Sequence, residues 1–95
     1  MRHAIHPEAD AEFADAVRYY AEIGLGVRFY REMERLIREV CVYPERFRMF
    51  DPPARRHFSA QFPYAIIYLA KPDQVWIVAI MHMKRKPGYW RERVG

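Results

Sequence analysis

The residues of this chain best suited to chemistry lie close together near its C-terminal end. Residues 82–91 hold five cationic or imidazole side chains and two adjacent aromatic rings. They directly follow an apolar run over residues 75–81, which we predict to be a buried strand. A buried strand that carries such a cluster to the surface is suited to a negatively charged partner. The members of the cluster are His82, Lys84, Arg85, Lys86, Tyr89, Trp90 and Arg91.

Two functional interpretations compete for this cluster. In the first, guanidinium groups and a tyrosine hydroxyl bind RNA phosphates and promote attack by a ribose 2′-hydroxyl without a metal ion. In the second, the cluster is a protein-docking surface, because Tyr, Trp and Arg dominate binding hot spots. A structural alternative, left open for Trp90, is that Tyr89 and Trp90 fold back over an open edge of the core. Arg85 is assigned to function, because a charge at a strand end has no packing reason to be there.

The composition is that of one small folded domain. Ninety-five residues are enough for a single core, so residues 1–95 are predicted to form one domain. The formal net charge is +4. Residues 1–53 carry 8 Arg against 10 acidic residues, whereas residues 54–95 carry 8 Lys and Arg against 2 acidic residues. This basic second half favours an anionic partner over simple solvation of the surface.

No pattern in the sequence indicates a metal or a cofactor. His3, His6, His57 and His82 lack ligand spacing, and Cys41 has no second cysteine. There is no glycine-rich phosphate loop and no nucleophile elbow. The single cysteine, the lack of a signal peptide and the lack of an apolar run of about 20 residues predict a soluble, cytoplasmic protein that does not enter the membrane.

Helical periodicity fills most of the first half, after a short possible edge strand over residues 2–5. The first helix is predicted to begin at Pro7 and to end at Gly24 and Gly26. The second is predicted over residues 27–43, so the two form an antiparallel hairpin. Its solvent side is predicted to pair Arg28 with Glu32, Glu34 with Arg38, and Arg35 with Glu39.

The pattern becomes extended in the second half. Residues 44–53, with three prolines, are predicted to be loop. Residues 57–62 alternate apolar and polar side chains and predict a first strand over residues 55–62, followed by strands over residues 64–70 and 75–83. The prediction is an α+β fold: a short N-terminal strand, an antiparallel helical hairpin packed on an antiparallel β-meander, and a short C-terminal helix or turn. Because the first and third meander strands run the same way, Arg55 and Arg85 are expected toward opposite ends of the sheet.

Two stretches of sequence carry a family resemblance. The central Phe62-Pro63-Tyr64 is followed by Tyr68, and the ending has the pattern His-x-x-Arg-x-Pro-x-Tyr-Trp over residues 82–90. This pattern resembles the ParE/RelE superfamily, the toxins of type II bacterial toxin–antitoxin modules. The resemblance covers nearly the whole chain, because Pro7-Glu8-Ala9 followed by a helical hairpin is also typical of these toxins. It implies a RelE/ParE-like fold and a cognate antitoxin.

The resemblance implies one of two activities. RelE-like members are ribosome-dependent mRNA endoribonucleases, and they place an Arg directly after the central-strand Tyr, where this chain has Ala65. They also place a Lys on the preceding strand where this chain has Phe58. The ribonuclease residues would be Arg56, Arg85 and Tyr89, an incomplete set.

The ParE branch, whose members bind and inhibit DNA gyrase, is the closer match. Target-binding residues would then be His82, Arg85, Tyr89, Trp90 and Arg91. A degenerate, inactive member is a third possibility. We expect Arg85→Ala to reduce toxicity more than Arg35→Ala. The antitoxin is expected to dock through a C-terminal segment that is disordered when free, and to carry acidic residues. The sequence does not indicate which residues bind it.

Overall fold

The computed structural model describes residues 1–94 and confirms the predicted α+β fold. A pair of helices packs on one face of a five-stranded sheet, and the short strand and the short helix expected at the two ends are both present. The elements in chain order are β1 (His3–Ile5), α1 (Pro7–Ala21), α2 (Gly26–Val42), β2 (Met49–Asp51), β3 (Ala54–Phe58), β4 (Tyr64–Ala70), β5 (Val75–His82) and a 3₁₀ helix (Arg91–Arg93).

The helix pair forms where the periodicity predicted it. The His6 imidazole caps α1 by accepting a hydrogen bond from the backbone N–H of Glu8 at 3.0 Å. Gly24 makes the turn with φ of 79°, a conformation that costs other residues energy. Gly26 does not end the first helix as expected. It begins α2, at a point where a side chain would meet Ala21 at 3.0 Å. Within residues 1–94, neither helix has both the length and the apolar character needed to cross a membrane.

The strands lie in the order β1-β5-β4-β3-β2. β3, β4 and β5 form the predicted antiparallel meander, β2 extends it in the antiparallel sense, and β1 pairs in parallel with β5. Two boundaries were predicted wrongly. Residues 44–53 are not all loop, because β2 forms just before the two prolines. The first meander strand ends at Phe58, because the Ser59 hydroxyl accepts the backbone N–H groups of Gln61 and Phe62, both at 3.0 Å, and turns the chain.

Apolar side chains cover both faces of the sheet. On the helix side, α2 residues such as Phe29 and Leu36 pack against Tyr68 and Ile77. On the opposite side, the sheet residues are covered by the segment that follows β5, with Trp90 at its centre. The C-terminal segment is therefore part of the core and is held in a defined position.

Candidate functional site

Three of the predicted site residues, His82, Arg85 and Tyr89, line one surface cleft of about 210 Å³. The cleft lies between α1, the end of β5 and the segment after it. Its walls bring one free guanidinium together with three tyrosines and two carboxylates. The other lining residues are Glu12, Asp15, Ala16, Tyr19, Tyr64 and Ile80.

Tyr89 is held from several sides. The guanidinium carbon of Arg85 lies 3.9 Å from the centre of its ring, and that of Arg93 lies 5.0 Å from it. The Tyr89 hydroxyl donates a hydrogen bond to Glu12 Oε2 at 2.7 Å. Burial, together with this hydrogen bond to a carboxylate, raises the pKa of Tyr89 far above its ordinary value. The hydroxyl therefore keeps its proton, and the ring is a fixed platform for Arg85.

Glu12 and Arg93 form a mostly buried ion pair beneath Tyr89. Arg93 Nη1 donates to Glu12 Oε1 at 2.9 Å, and the two side chains are only 9% and 16% exposed. The same carboxylate accepts the backbone N–H of Ile80 at 3.1 Å, while Arg93 donates to the carbonyl of Val78 at 3.1 Å. Although burial opposes the charge, the hydrogen bond from Arg93 to Glu12 helps to raise the pKa of Arg93 overall. The ion pair thus satisfies backbone groups of β5 that β1 does not reach.

A tight turn after β5 sets the position of Arg85. The His82 ring lies edge-on to the Tyr64 ring, with centres 5.1 Å apart, and its Nδ1 accepts the backbone N–H of Lys84 at 3.0 Å. The His82 carbonyl accepts the backbone N–H of Arg85 at 3.0 Å. Arg85 is exposed and has no ion-pair partner among residues 1–94. Its guanidinium is free to meet an anionic group.

Trp90 and Arg91 lie outside this cleft. Trp90 is 2% exposed and packs on the sheet face opposite the helices, with its ring centre 5.7 Å from that of Phe50. This is the core-capping position that the sequence left open. A buried ring has no exposed surface with which to contact a partner. The prediction that Trp90 binds the target is therefore wrong. Arg91 turns toward Asp51, with Nε to Oδ2 at 2.7 Å. The predicted surface is therefore divided, and three of its five residues remain together.

Arg56 also lies apart from the cleft. Its guanidinium carbon lies 4.2 Å from the ring centre of Phe50 and 4.7 Å from that of Phe58. Arg56 pairs in the sheet with Ile67, whose side chain belongs to the core on the face opposite the helices. β3 and β5 are two strand spacings apart, roughly 9.6 Å. No hydrogen bond, ion pair or stacking contact within residues 1–94 joins Arg56 to Arg85 or Tyr89.

The expected separation of Arg55 from Arg85 is confirmed. Arg55 is paired with Tyr68, which in turn pairs with Ile77 near the start of β5, whereas Arg85 follows the other end of that strand. The Arg55 guanidinium is engaged in holding a loop, because its Nη1 donates to the carbonyls of Glu45 and Phe47 at 3.1 and 3.0 Å.

Sequence reasoning missed two residues of the site, Glu12 and Arg93. Glu12 was not predicted to belong to the site. It borders the apolar stripe of α1, and a carboxylate at such a position needs a buried partner, so this was the signal that could have identified it. Arg93 lies two residues beyond the predicted cluster and was not assigned a role. In the part of the chain that the structure describes, no group of three or more His, Cys, Asp or Glu side chains is placed to hold a metal ion.

The family model described as "ParE toxin of type II toxin-antitoxin system, parDE" matches residues 4–87 of the chain. The match includes both helices and the strands β2 to β5. The protein therefore belongs to this family and is the toxin of a type II toxin–antitoxin module, which implies a cognate antitoxin as its partner. No curated protein matches the chain.

Proposed function

We propose that this toxin inhibits DNA gyrase by binding it directly, with His82, Arg85 and Tyr89 in the contact. The observation that carries the proposal is the exposed guanidinium of Arg85, stacked on a fixed ring at the edge of a cleft. A preorganised arginine loses little conformational freedom when it binds a carboxylate or a phosphate, and such residues dominate interfaces. Membership in the ParE family supports gyrase as the target, because members of the ParE branch, which this sequence resembles, bind and inhibit gyrase.

The geometry gives less support to cleavage of mRNA. In-line cleavage of RNA needs several charges that converge on one phosphate, together with groups that move protons. Arg56 lies on the face opposite the helices, and the hydroxyl of Tyr89 is committed to Glu12 with a raised pKa. Where the ribonucleases carry two basic residues, this chain has the exposed ring of Phe58 and the buried methyl group of Ala65. A binding role therefore fits the cleft better than a catalytic one.

The antitoxin has to prevent the contact between toxin and gyrase, either by covering the cleft or by competing with gyrase for it. Arg85, at the edge of the cleft, lies in the basic second half of the chain and has no ion-pair partner among residues 1–94, so we expect acidic antitoxin residues to face it. The single Cys41, half-buried and with its pKa raised by burial, is consistent with a thiol that stays reduced in the cytoplasm, where gyrase acts.

Two parallel assays test the proposal. Purified toxin is added to a gyrase supercoiling reaction and, separately, to translating ribosomes with labelled mRNA. We expect loss of supercoiling with accumulation of gyrase-linked DNA breaks, and intact mRNA. Codon-positioned cuts in the mRNA without any effect on gyrase would show that the toxin is an mRNA interferase and that the proposal is wrong.

A further inference from the structure

A second charged surface lies on α2, away from the cleft. Arg28, Arg31, Arg35 and Arg38 follow one another at three- and four-residue spacing along the helix. Residues at this spacing share one face, so the four side chains form a row about 15 Å long. The buried residues of α2, such as Phe29 and Leu36, occupy the opposite side, and the row faces solvent. We call these four residues the arginine row.

The carboxylates that were expected to neutralise the arginine row leave most of it without an ion-pair partner. Glu32 is buried and is bound by Arg35, by the Ser59 hydroxyl at 2.7 Å and by the Gln61 amide at 3.2 Å. The predicted Arg28–Glu32 pair is therefore absent, and Arg28 donates instead to the neutral Gln61 side chain at 3.1 Å.

Only one of the three predicted ion pairs on α2 is formed. Arg35 binds Glu39 as expected, at 2.8 Å, but Glu34 and Arg38 are not paired. Among residues 1–94, neither Arg31 nor Arg38 has an ion-pair partner. Three of the four guanidiniums thus keep their charge uncompensated toward solvent.

The arginine row borders a groove that also offers apolar surface. The groove has a volume of about 550 Å³, and Val27 and Gln61 line it beside the arginines. Val27 is 66% exposed, and Ile23, in the turn just before Gly24, is 60% exposed. Free cations next to exposed apolar side chains are complementary to a segment that carries both carboxylates and apolar groups.

We propose that the arginine row and Val27 bind an acidic, amphipathic segment of a partner protein. A helix with Glu or Asp one turn apart could place a carboxylate opposite Arg28, Arg31 and Arg38 and lay its apolar side chains on Val27. A nucleic acid fits less well, because its charge is continuous and would approach the half-buried carboxylates of Glu34 and Glu39 on the same helix. It would also leave the apolar surface without a partner.

This surface is independent of the proposed gyrase contact. The groove on α2 and the cleft beside β5 have no lining residue in common. A segment bound to the arginine row therefore does not occupy the place of Arg85, and either surface can be tested while the other is intact.

The test uses a fluorescent helical peptide of about 18 residues with Glu at the spacing of the arginine row and Leu beside the Glu positions. We expect the full-length toxin to bind it, and the Arg31→Glu, Arg38→Glu double variant to bind roughly 10-fold more weakly or worse. The matched control is Arg48→Glu, Lys71→Glu, which makes the same change in charge at exposed positions outside the groove. The control variant is expected to weaken binding of the peptide by less than about 2-fold, apart from the general effect of its changed net charge, which salt screens. Gyrase inhibition by the arginine-row variant should equal that of the wild type.

Four results would overturn the proposal. The first is no binding of the peptide to the wild type, and the second is equal weakening in the two double variants. The third is preferential binding of duplex DNA that is lost in the arginine-row variant, which would assign the surface to nucleic acid. Loss of gyrase inhibition in that variant, while the control is normal, would make the arginine row part of the target surface instead. Thermal unfolding of each variant checks that the fold is kept.

Discussion

Replacing Glu12 by alanine tests the argument that a buried ion pair holds the cleft together. The carboxylate of Glu12 accepts hydrogen bonds from the Tyr89 hydroxyl, the guanidinium of Arg93 and the backbone N–H of Ile80. Glu12→Ala removes all of these acceptors at once. It leaves a guanidinium that is 9% exposed without its main counter-charge, and two further donors without a partner.

The expected cost follows from this burial. Removing one partner of a buried ion pair typically costs about 3–5 kcal/mol, and the partial exposure of Glu12 places the estimate near the lower end, about 3 kcal/mol. For a domain of this size, that corresponds to a fall in Tm of roughly 12–24 °C. Glu8 supplies a matched control, because it lies one turn earlier on α1 and approaches the same Arg93 at 3.5 Å while remaining 67% exposed. Glu8→Ala should cost less than about 1 kcal/mol.

Urea unfolding followed by circular dichroism measures both variants. The double variant Glu12→Ala, Arg93→Met completes a thermodynamic cycle, and it should cost clearly less than the sum of the two single changes because no buried charge is left alone. If Glu12→Ala costs no more than Glu8→Ala, the ion pair does not stabilise the fold and our account of how Tyr89 is positioned is wrong.

Three further predictions concern the target contact, the core and the response to acid. Arg85→Ala should raise the toxin concentration needed for half-inhibition of gyrase about 10-fold or more, whereas the exposed Lys71→Ala should leave it unchanged; equal effects would remove Arg85 from the contact. Trp90→Ala should lower the free energy of unfolding by about 3–5 kcal/mol, measured by urea unfolding; unchanged stability would contradict its place in the core. The hydrogen bond from Arg35, with help from Ser59, lowers the pKa of Glu32 below its ordinary value of 4.5. The stability that Glu32 contributes is therefore complete above that pH and is lost as the pH falls through its lowered pKa. Unfolding free energies between about pH 7 and pH 3 should fall less steeply for Glu32→Gln than for the wild type, and parallel curves would refute this.

The helices and the central strands could be predicted because their periodicity is strong over many residues. The apolar stripe of α2 and the apolar run of β5 each have one arrangement that buries them. The end of β3 could not be predicted in this way. The alternation of residues 57–62 favours a longer strand, but the Ser59 hydroxyl offers local hydrogen bonds that compete with the sheet.

The site was only partly predictable for a similar reason. Arg85 and Tyr89 are close in sequence, so their type and spacing indicated a cluster. Glu12 and Tyr89 are 77 residues apart in the sequence, and no local pattern indicates a contact between residues so far apart along the chain. Trp90 was ambiguous because tryptophan suits a core and an interface equally well. Arg35 turned out to be a poor control for Arg85, because it holds the buried Glu32 as well as Glu39.

The short β1 strand affects how the sheet meets other chains. Beyond Ile77 the outward-facing backbone of β5 is occupied by the side chains of Glu12 and Arg93 instead of a neighbouring strand. Bare strand edges invite copies of a protein to join them, leading to exchanged strands or fibrils. A strand of another copy could pair with this part of β5 only by displacing the mostly buried ion pair of Glu12 and Arg93. A toxin molecule freed from its antitoxin is thus protected along this edge of the sheet against pairing with a strand of another copy.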